Sequence, residues 1–208
     1  MDGNDNFRAH EPAPGTQAHA EMLKSATQRL SFRRSRDALP TRIDTARLVL
    51  RAPMRADVPA IQKLADNPNI AEKLARLPSP YTRADAIAFI EIFAQRAEQR
   101  PYALTSRQGE FLGVAGFTYA MGYHPELGYW LGEPYWGQGL MSEAVKALLE
   151  AAFETGLYPV IEARALQTNL ASIKVLEKAG FANIGEDAEA PGPGRGRPLF
   201  KFRLERPR

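Results

Sequence analysis

The stretch "EPYWGQGLMSEAVKALLEAAF", residues 133–153, decides the fold. Leu140, Ala144, Val145, Leu148, Ala152 and Phe153 recur at helical spacing and make one apolar face. The spacing predicts a helix over about 138–155. Gly137 and Gly139 stand where its first turn begins. The first four N–H groups of a helix lack partners within it, and the aligned peptide dipoles add partial positive charge there. A glycine-flanked helix start is therefore an anion site, typically for phosphate. On this stretch alone two other readings stay open. The glycines can serve tight strand–helix packing only, or they can belong to a dinucleotide fingerprint. The fingerprint lacks its third glycine, since Ser142 holds that position, although Glu162 lies near the distance at which such folds carry an acid. A Walker loop is excluded, because no lysine follows the glycines at the required place.

A second strand-to-helix turn follows. "PVIEARAL" reads as a strand and runs directly into "NLASIKVLEKAGF", residues 169–181. Asn169 suits the N-cap and Ser172 the first turn. Ile173, Val175 and Leu176 supply the buried side, and Gly180 with Phe181 closes the helix. Two such turns in succession place two helix N-termini at the same end of adjacent strands. An extended ligand can lay its phosphates on the first and a longer arm along the second.

The rest of the chain frames these turns. "RLVLRAP" predicts a strand, and Val58, Ile61, Leu64 and Ala65 predict a helix. Thr82 with Asp85 predicts the capped start of another helix, with Ile87, Ile90 and Phe93 facing inward. "PYALTSRQGEFLGVAGFTYA" reads as a hairpin, "HPELGYWLG" as a further strand, and two closing strands flank "GPGRGRP". Hairpins first and α/β alternation later predict a mixed central sheet flanked by helices on both faces, an α/β (mixed α+β) class. Residues 1–40 differ in composition and are expected to form a flexible or weakly helical tail, with Met22, Leu23, Ala26 and Leu30 as one helix face. Residues 41–208 are expected to form the single domain.

Composition narrows the function. The chain has 208 residues, 27 Lys and Arg against 24 Asp and Glu, and a formal net charge of +3. That balance suits an anionic ligand, but the cations are dispersed, so nucleic-acid binding is not expected. Cysteine is absent, which excludes a thiol nucleophile and a thiolate metal site. The three histidines (His10, His19 and His124) are scattered, so no metal is expected. No apolar run approaches the ~20 residues that span a bilayer. A cytoplasmic location without membrane attachment is the expectation, as a monomer or homodimer.

The combination Gly-x-Gly-Leu-Met followed by Asn-x-x-Ser-x-x-Val-Leu-x-Lys-x-Gly-Phe resembles the GNAT superfamily of acyl-CoA-dependent N-acetyltransferases. "TARLVLRAP", "PSPYTRADAIAFI", "ELGYWLGEPYWGQGLMSEAV" and "NLASIKVLEKAGF" resemble its RimJ/RimL branch, which includes acetyltransferases of ribosomal-protein N-termini. The resemblance covers about residues 43–205. It implies a GNAT-type acyltransferase fold and acetyl-CoA as the cosubstrate. It also implies acetyl transfer to a primary amine, a protein N-terminus or a small amine. A non-catalytic acyl-CoA sensor is the alternative. It implies that Trp136, Gly137, Gln138, Gly139, Leu140 and Met141 hold the pyrophosphate, mainly through main-chain N–H groups. Trp136 stands where the family has Gln or Arg, and Met141 where it has a small residue. Main-chain groups of Trp130 and Leu131 would hold the pantetheine and acetyl carbonyl, and Asn169 the pantetheine arm.

Amide formation needs a neutral amine. An α-amine with a pKa of about 7.7–8.0 is about one-tenth neutral at pH 7, and a lysine amine at about 10.4 only roughly once in 2,500. Glu126, opening "ELGYWL", is the candidate general base, with His124 as a weaker alternative. The family's acid tyrosine is implied seven residues after Asn169, where this chain has Leu176. Ser172 is the branch's alternative, as a donor or water relay to the leaving thiol. Tyr119, Tyr123 and Tyr129 stay open as acids. Tyr81 is a candidate for the border of the acceptor groove, and Arg195 and Arg197 for its entrance.

Overall fold

The computed structural model describes residues 14–74, 77–187 and 196–207. Eight strands form one sheet: β1 Arg42–Asp44, β2 Leu48–Arg51, β3 Gln99–Ser106, β4 Phe111–Thr118, β5 Glu126–Leu131, β6 Val160–Leu166, β7 Ala182–Asp187 and β8 Leu199–Glu205. Their order across the sheet is β1-β2-β3-β4-β5-β6-β8-β7. Every neighbouring pair is antiparallel except β5 with β6, which run parallel. The helices are α1 Pro14–Ala38, α2 Val58–Ala65, α3 Pro68–Lys73, α4 Arg83–Ala88, α5 Leu140–Glu154 and α6 Leu170–Lys178. None among the described residues is long and apolar enough to cross a membrane.

Period-two alternation in the strands builds a core on each face. Tyr102, Leu104, Ala115, Phe117, Leu127 and Leu131 meet α5 and α6 on one side. Ala103, Val114 and Trp130 meet α2 and α4 on the other. The mixed sheet with helices on both faces is therefore as the sequence predicted, as are the starts of α4, α5 and α6. Thr82 caps α4 through the expected box: its hydroxyl accepts from Asp85 N at 3.2 Å, and Asp85 Oδ2 accepts from Thr82 N at 2.8 Å. At the end of α6, Phe181 N donates to Leu176 O and Gly180 N to Glu177 O, each at 3.0 Å.

Three features depart from the expectation. β1 and α3 are additional elements, both too short to carry a periodic signal. α4 continues into a π-helical turn, Phe89–Phe93, closed by Ala94 N to Phe89 O at 2.8 Å. There Ile90 is buried, but Phe93 is 37% exposed rather than inward. α1 is a full helix of 25 residues, and the face read from Met22, Leu23 and Leu30 is exposed. Its docked end is instead Phe32, Ser35 and Leu39. The Phe32 ring lies 5.8 Å from Tyr119, and Ser35 O accepts from the Tyr158 hydroxyl at 2.9 Å.

Candidate active site

The parallel junction at the centre of the sheet opens the site. β5 pairs with β4 along its whole length, but with β6 only at Glu126↔Glu162 and Leu127↔Ala163. From Gly128 onward the two strands diverge. Gly132 N donates to Leu112 O (2.8 Å) and Glu162 N to Pro125 O (2.9 Å). Because alternate residues of a strand turn their polar groups to opposite neighbours, even-numbered residues of β5 bond β4 and odd-numbered ones face β6. The main chains of Tyr129 and Leu131 thus point into the gap. This corrects one expectation: the main-chain groups of Trp130 face β4. Leu131 O accepts from the Trp136 indole Nε1 at 2.7 Å, which folds that ring back against the strand.

At the open end of this gap α5 begins. Gly137 and Gly139 both have φ of 73°, the left-handed region where a Cβ is strained. Gly139 is the N-cap, so no side chain caps the helix from that position. The amides of Leu140, Met141 and Ser142 precede the first intrahelical bond, Glu143 N to Gly139 O at 3.1 Å. A clamp from the start of the domain fixes the turn. The Arg47 guanidinium donates from Nη1 to Gln138 O (2.8 Å) and from Nε to Glu143 Oε2 (2.6 Å). Glu143 Oε1 accepts from Thr45 Oγ1 (2.6 Å) and Arg47 N (2.9 Å). Burial alone would raise the Glu143 carboxyl, but hydrogen bonds from Thr45 and Arg47 outweigh it and hold it below the usual carboxylate range. Holding the Gln138 carbonyl on Arg47 turns an acceptor away from where an anion would lie. Arg47 was missed in the sequence because 91 positions separate it from Gln138.

The second turn differs. Asn169 Oδ1 accepts from Ser172 N at 3.1 Å, and its Nδ2 donates to Lys73 O at 3.1 Å. Both ends of that amide are engaged, so α6 is self-capped where α5 is not. The Ser172 hydroxyl lies 3.0 Å from the Tyr129 hydroxyl, which also donates to Ser172 O at 3.1 Å. Burial holds the Tyr129 phenol well above its ordinary pKa, with the Ser172 bond offsetting part of the rise. Tyr129 is thus a neutral donor throughout the physiological range.

Glu126 opens β5 on the opposite face. Its Oε2 accepts from Arg164 Nη1, and Arg164 Nε also donates to Asp187. A cavity of about 970 Å³ connects these groups. Glu126, Tyr129, Trp130 and Leu131 line it from β5, Trp136, Gly137, Gly139, Leu140 and Met141 from the glycine turn and the start of α5, and Asn169 and Ser172 from the start of α6. Gln138 is the one expected site residue outside this wall. Its side chain donates to Pro134 O at 3.1 Å.

Other candidates fall elsewhere. Tyr119 is buried in the core with its hydroxyl 2.5 Å from that of Tyr158. Tyr123 and His124 are exposed in the loop before β5, outside the cavity wall. Tyr81 does line the cavity, and burial followed by the nearby Asp85 pushes its phenol up to about 12. Arg197 donates from Nη2 to Glu72 O at 2.5 Å, tying the start of β8 to α3. Arg195 lies outside the described residues, with most of the glycine-rich stretch.

Comparison with known proteins gives this geometry a family. The chain is 42% identical over 59 residues to the Bacillus subtilis (strain 168) protein named Probable N-acetyltransferase YjcK, a match spanning 28% of this chain and 33% of that protein. It is 27% identical over 146 residues to Uncharacterized N-acetyltransferase p20 of Bacillus licheniformis, covering 68% and 82%. Among solved structures, a GNAT-family acetyltransferase from Bacillus anthracis superposes with a TM-score of 0.70 at 19% identity, over 79% of this chain and 98% of that one. RimL, a ribosomal L7/L12 alpha-N-protein acetyltransferase in complex with coenzyme A, does so with a TM-score of 0.68 at 22% identity, over 80% and 97%. These two likenesses are of fold. The family model for the acetyltransferase (GNAT) domain matches residues 47–182, from the arginine that clamps the glycine turn before α5 to the first residue of β7, and the chain belongs to that family.

Proposed function

We propose that the protein transfers an acetyl group from acetyl-CoA to a primary amine by direct attack. One observation carries the reading: an uncapped helix start with two left-handed glycines opens onto the same cavity as the edge of β5 beyond its two rungs with β6, where Trp136 takes the Leu131 carbonyl. The first suits a diphosphate, and the second suits an extended amide-bearing arm lying beside β5 like a short strand. Trp136 to Met141 would border the pyrophosphate, the main chains of Tyr129 and Leu131 the pantetheine and thioester, and Asn169 the arm's far side after exchanging its present partners.

In the reaction the amine nitrogen bonds the acetyl carbon and the C–S bond breaks. The ammonium proton passes through water to Glu126, and the thiolate takes a proton from the Ser172–Tyr129 hydroxyl pair. No cysteine is present to carry the acetyl group, so a cysteine acyl-enzyme is excluded. Membership in the acetyltransferase (GNAT) domain family supports the enzymatic reading over a non-catalytic sensor. The acceptor is a protein N-terminus or a small amine.

The reading is tested by thermal unfolding with acetyl-CoA or NAD, followed by mass spectrometry of an amine panel. Ligand at about 100 Kd stabilises by about 2.7 kcal/mol. Acetyl-CoA is expected to raise Tm and to yield products heavier by one acetyl group, and NAD to do neither. Stabilisation without any product would leave the sensor reading instead.

A further inference from the structure

The half of the cavity between α4 and β5 differs in character from the half at the phosphate turn. Tyr81, Phe89, Ile92, Phe93 and Trp130 line it. The Phe89 and Phe93 rings stack at 5.7 Å with 24° between their planes. Ile92 is 56% exposed and Phe93 37%, so this apolar wall faces open space rather than the core. Large exposed apolar groups lining a concave site mark where an apolar ligand body sits.

Charge narrows the ligand further. Among the described residues, Lys73, Arg96, Arg164, Lys174 and Lys178 contribute to the cavity wall, against Asp85 and Glu126. Both carboxylates already have protein donors: Asp85 takes the Thr82 N–H and hydroxyl, and Glu126 takes Arg164. A chain of several ammonium groups would meet repulsion here, with no row of carboxylates to offset its desolvation. A single amine fares differently. The surrounding cations disfavour its charged form and so favour the neutral form that attacks.

Resting on the acetyl-transfer reading, we infer that the acceptor is a primary monoamine with an aromatic or branched apolar group beside its nitrogen, and not a polycation. The chemistry is shared by free arylalkylamines and by peptides whose first residue is apolar.

The test uses the full chain with saturating acetyl-CoA and four acceptors: 2-phenylethylamine, a Phe-initiated peptide, the same peptide with Ser first, and spermidine. At least one of the first two is expected to exceed both others in kcat/KM by tenfold or more, and which one does so identifies the source. Phe93→Ala is expected to raise the KM for that acceptor about tenfold and leave the Kd for acetyl-CoA unchanged. If spermidine or the Ser peptide is preferred, or Phe93→Ala leaves acceptor KM unaltered, this inference falls and acetyl transfer stands. If acetyl-CoA binds but no amine is acetylated, both fall.

Discussion

At the residue scale, the proposed reaction assigns its proton chemistry to three side chains. Tyr129 and Ser172 share a hydrogen bond on the thiol side, while Glu126 sits across β5 on the acceptor side. Ser172 alone is a weak acid, but a neutral phenol bonded to it supplies the missing donor. Single-turnover acetylation checks these roles. Tyr129→Phe and Ser172→Ala are each expected to lower the chemical step about 10²-fold without changing acetyl-CoA affinity, and Glu126→Gln by a similar factor, on the scale of general acid–base catalysis. Rates equal to wild type in all three would remove the assignments. Glu126 and Ser172 were named from their places in quoted motifs, and both line the cavity. Arg164, the partner of Glu126, and Asp187, which holds Arg164 in turn, were not, since they come from a neighbouring strand and the far edge of the sheet. Tyr129 stood out only as one of three tyrosines until the strand's parity chose it.

The decisive object at the element scale is the start of α5. Its amides stay open because Gly139 offers no capping group and because Arg47 and Glu143 hold the turn from the side. Glu143→Ala is expected to free Arg47 and let the Gln138 carbonyl rotate. Calorimetry should then show acetyl-CoA Kd raised about tenfold, roughly 1.4 kcal/mol, with acceptor KM unchanged at saturation. An unchanged Kd would show that the clamp does not shape the turn. The helices α5 and α6 were readable from periodicity and caps. Whether each cap is free to bind was not, because Asn169 could equally serve its own helix, and it does.

At the scale of the whole molecule, the last turns of α1 join the domain. Tyr158 donates to Ser35 O, so Tyr119 must donate in turn to Tyr158, and Phe32 and Leu39 cover this pair. The boundary near residue 40 expected from composition therefore cuts through packed groups. Its source was the polar character of residues 1–30, which hides a docking segment lying further on. Removing residues 1–31 is expected to leave Tm within about 2 °C. Extending the deletion to Leu39 loses a buried leucine and removes the carbonyl that accepts from the Tyr158 hydroxyl, which together cost about 3 kcal/mol or more. Calorimetry should then show Tm about 10 °C lower. Equal Tm values for the two truncations would mean that the end of α1 adds nothing to the core.

The two-rung contact between β5 and β6 makes the sheet a pair of half-sheets joined by a short seam. An occupant that bonds the bare margin of β5 while touching α6 lengthens that seam, acting as a temporary strand. Substrate occupancy and cohesion between the halves then become one thermodynamic quantity. Product departure then returns the seam to its two rungs.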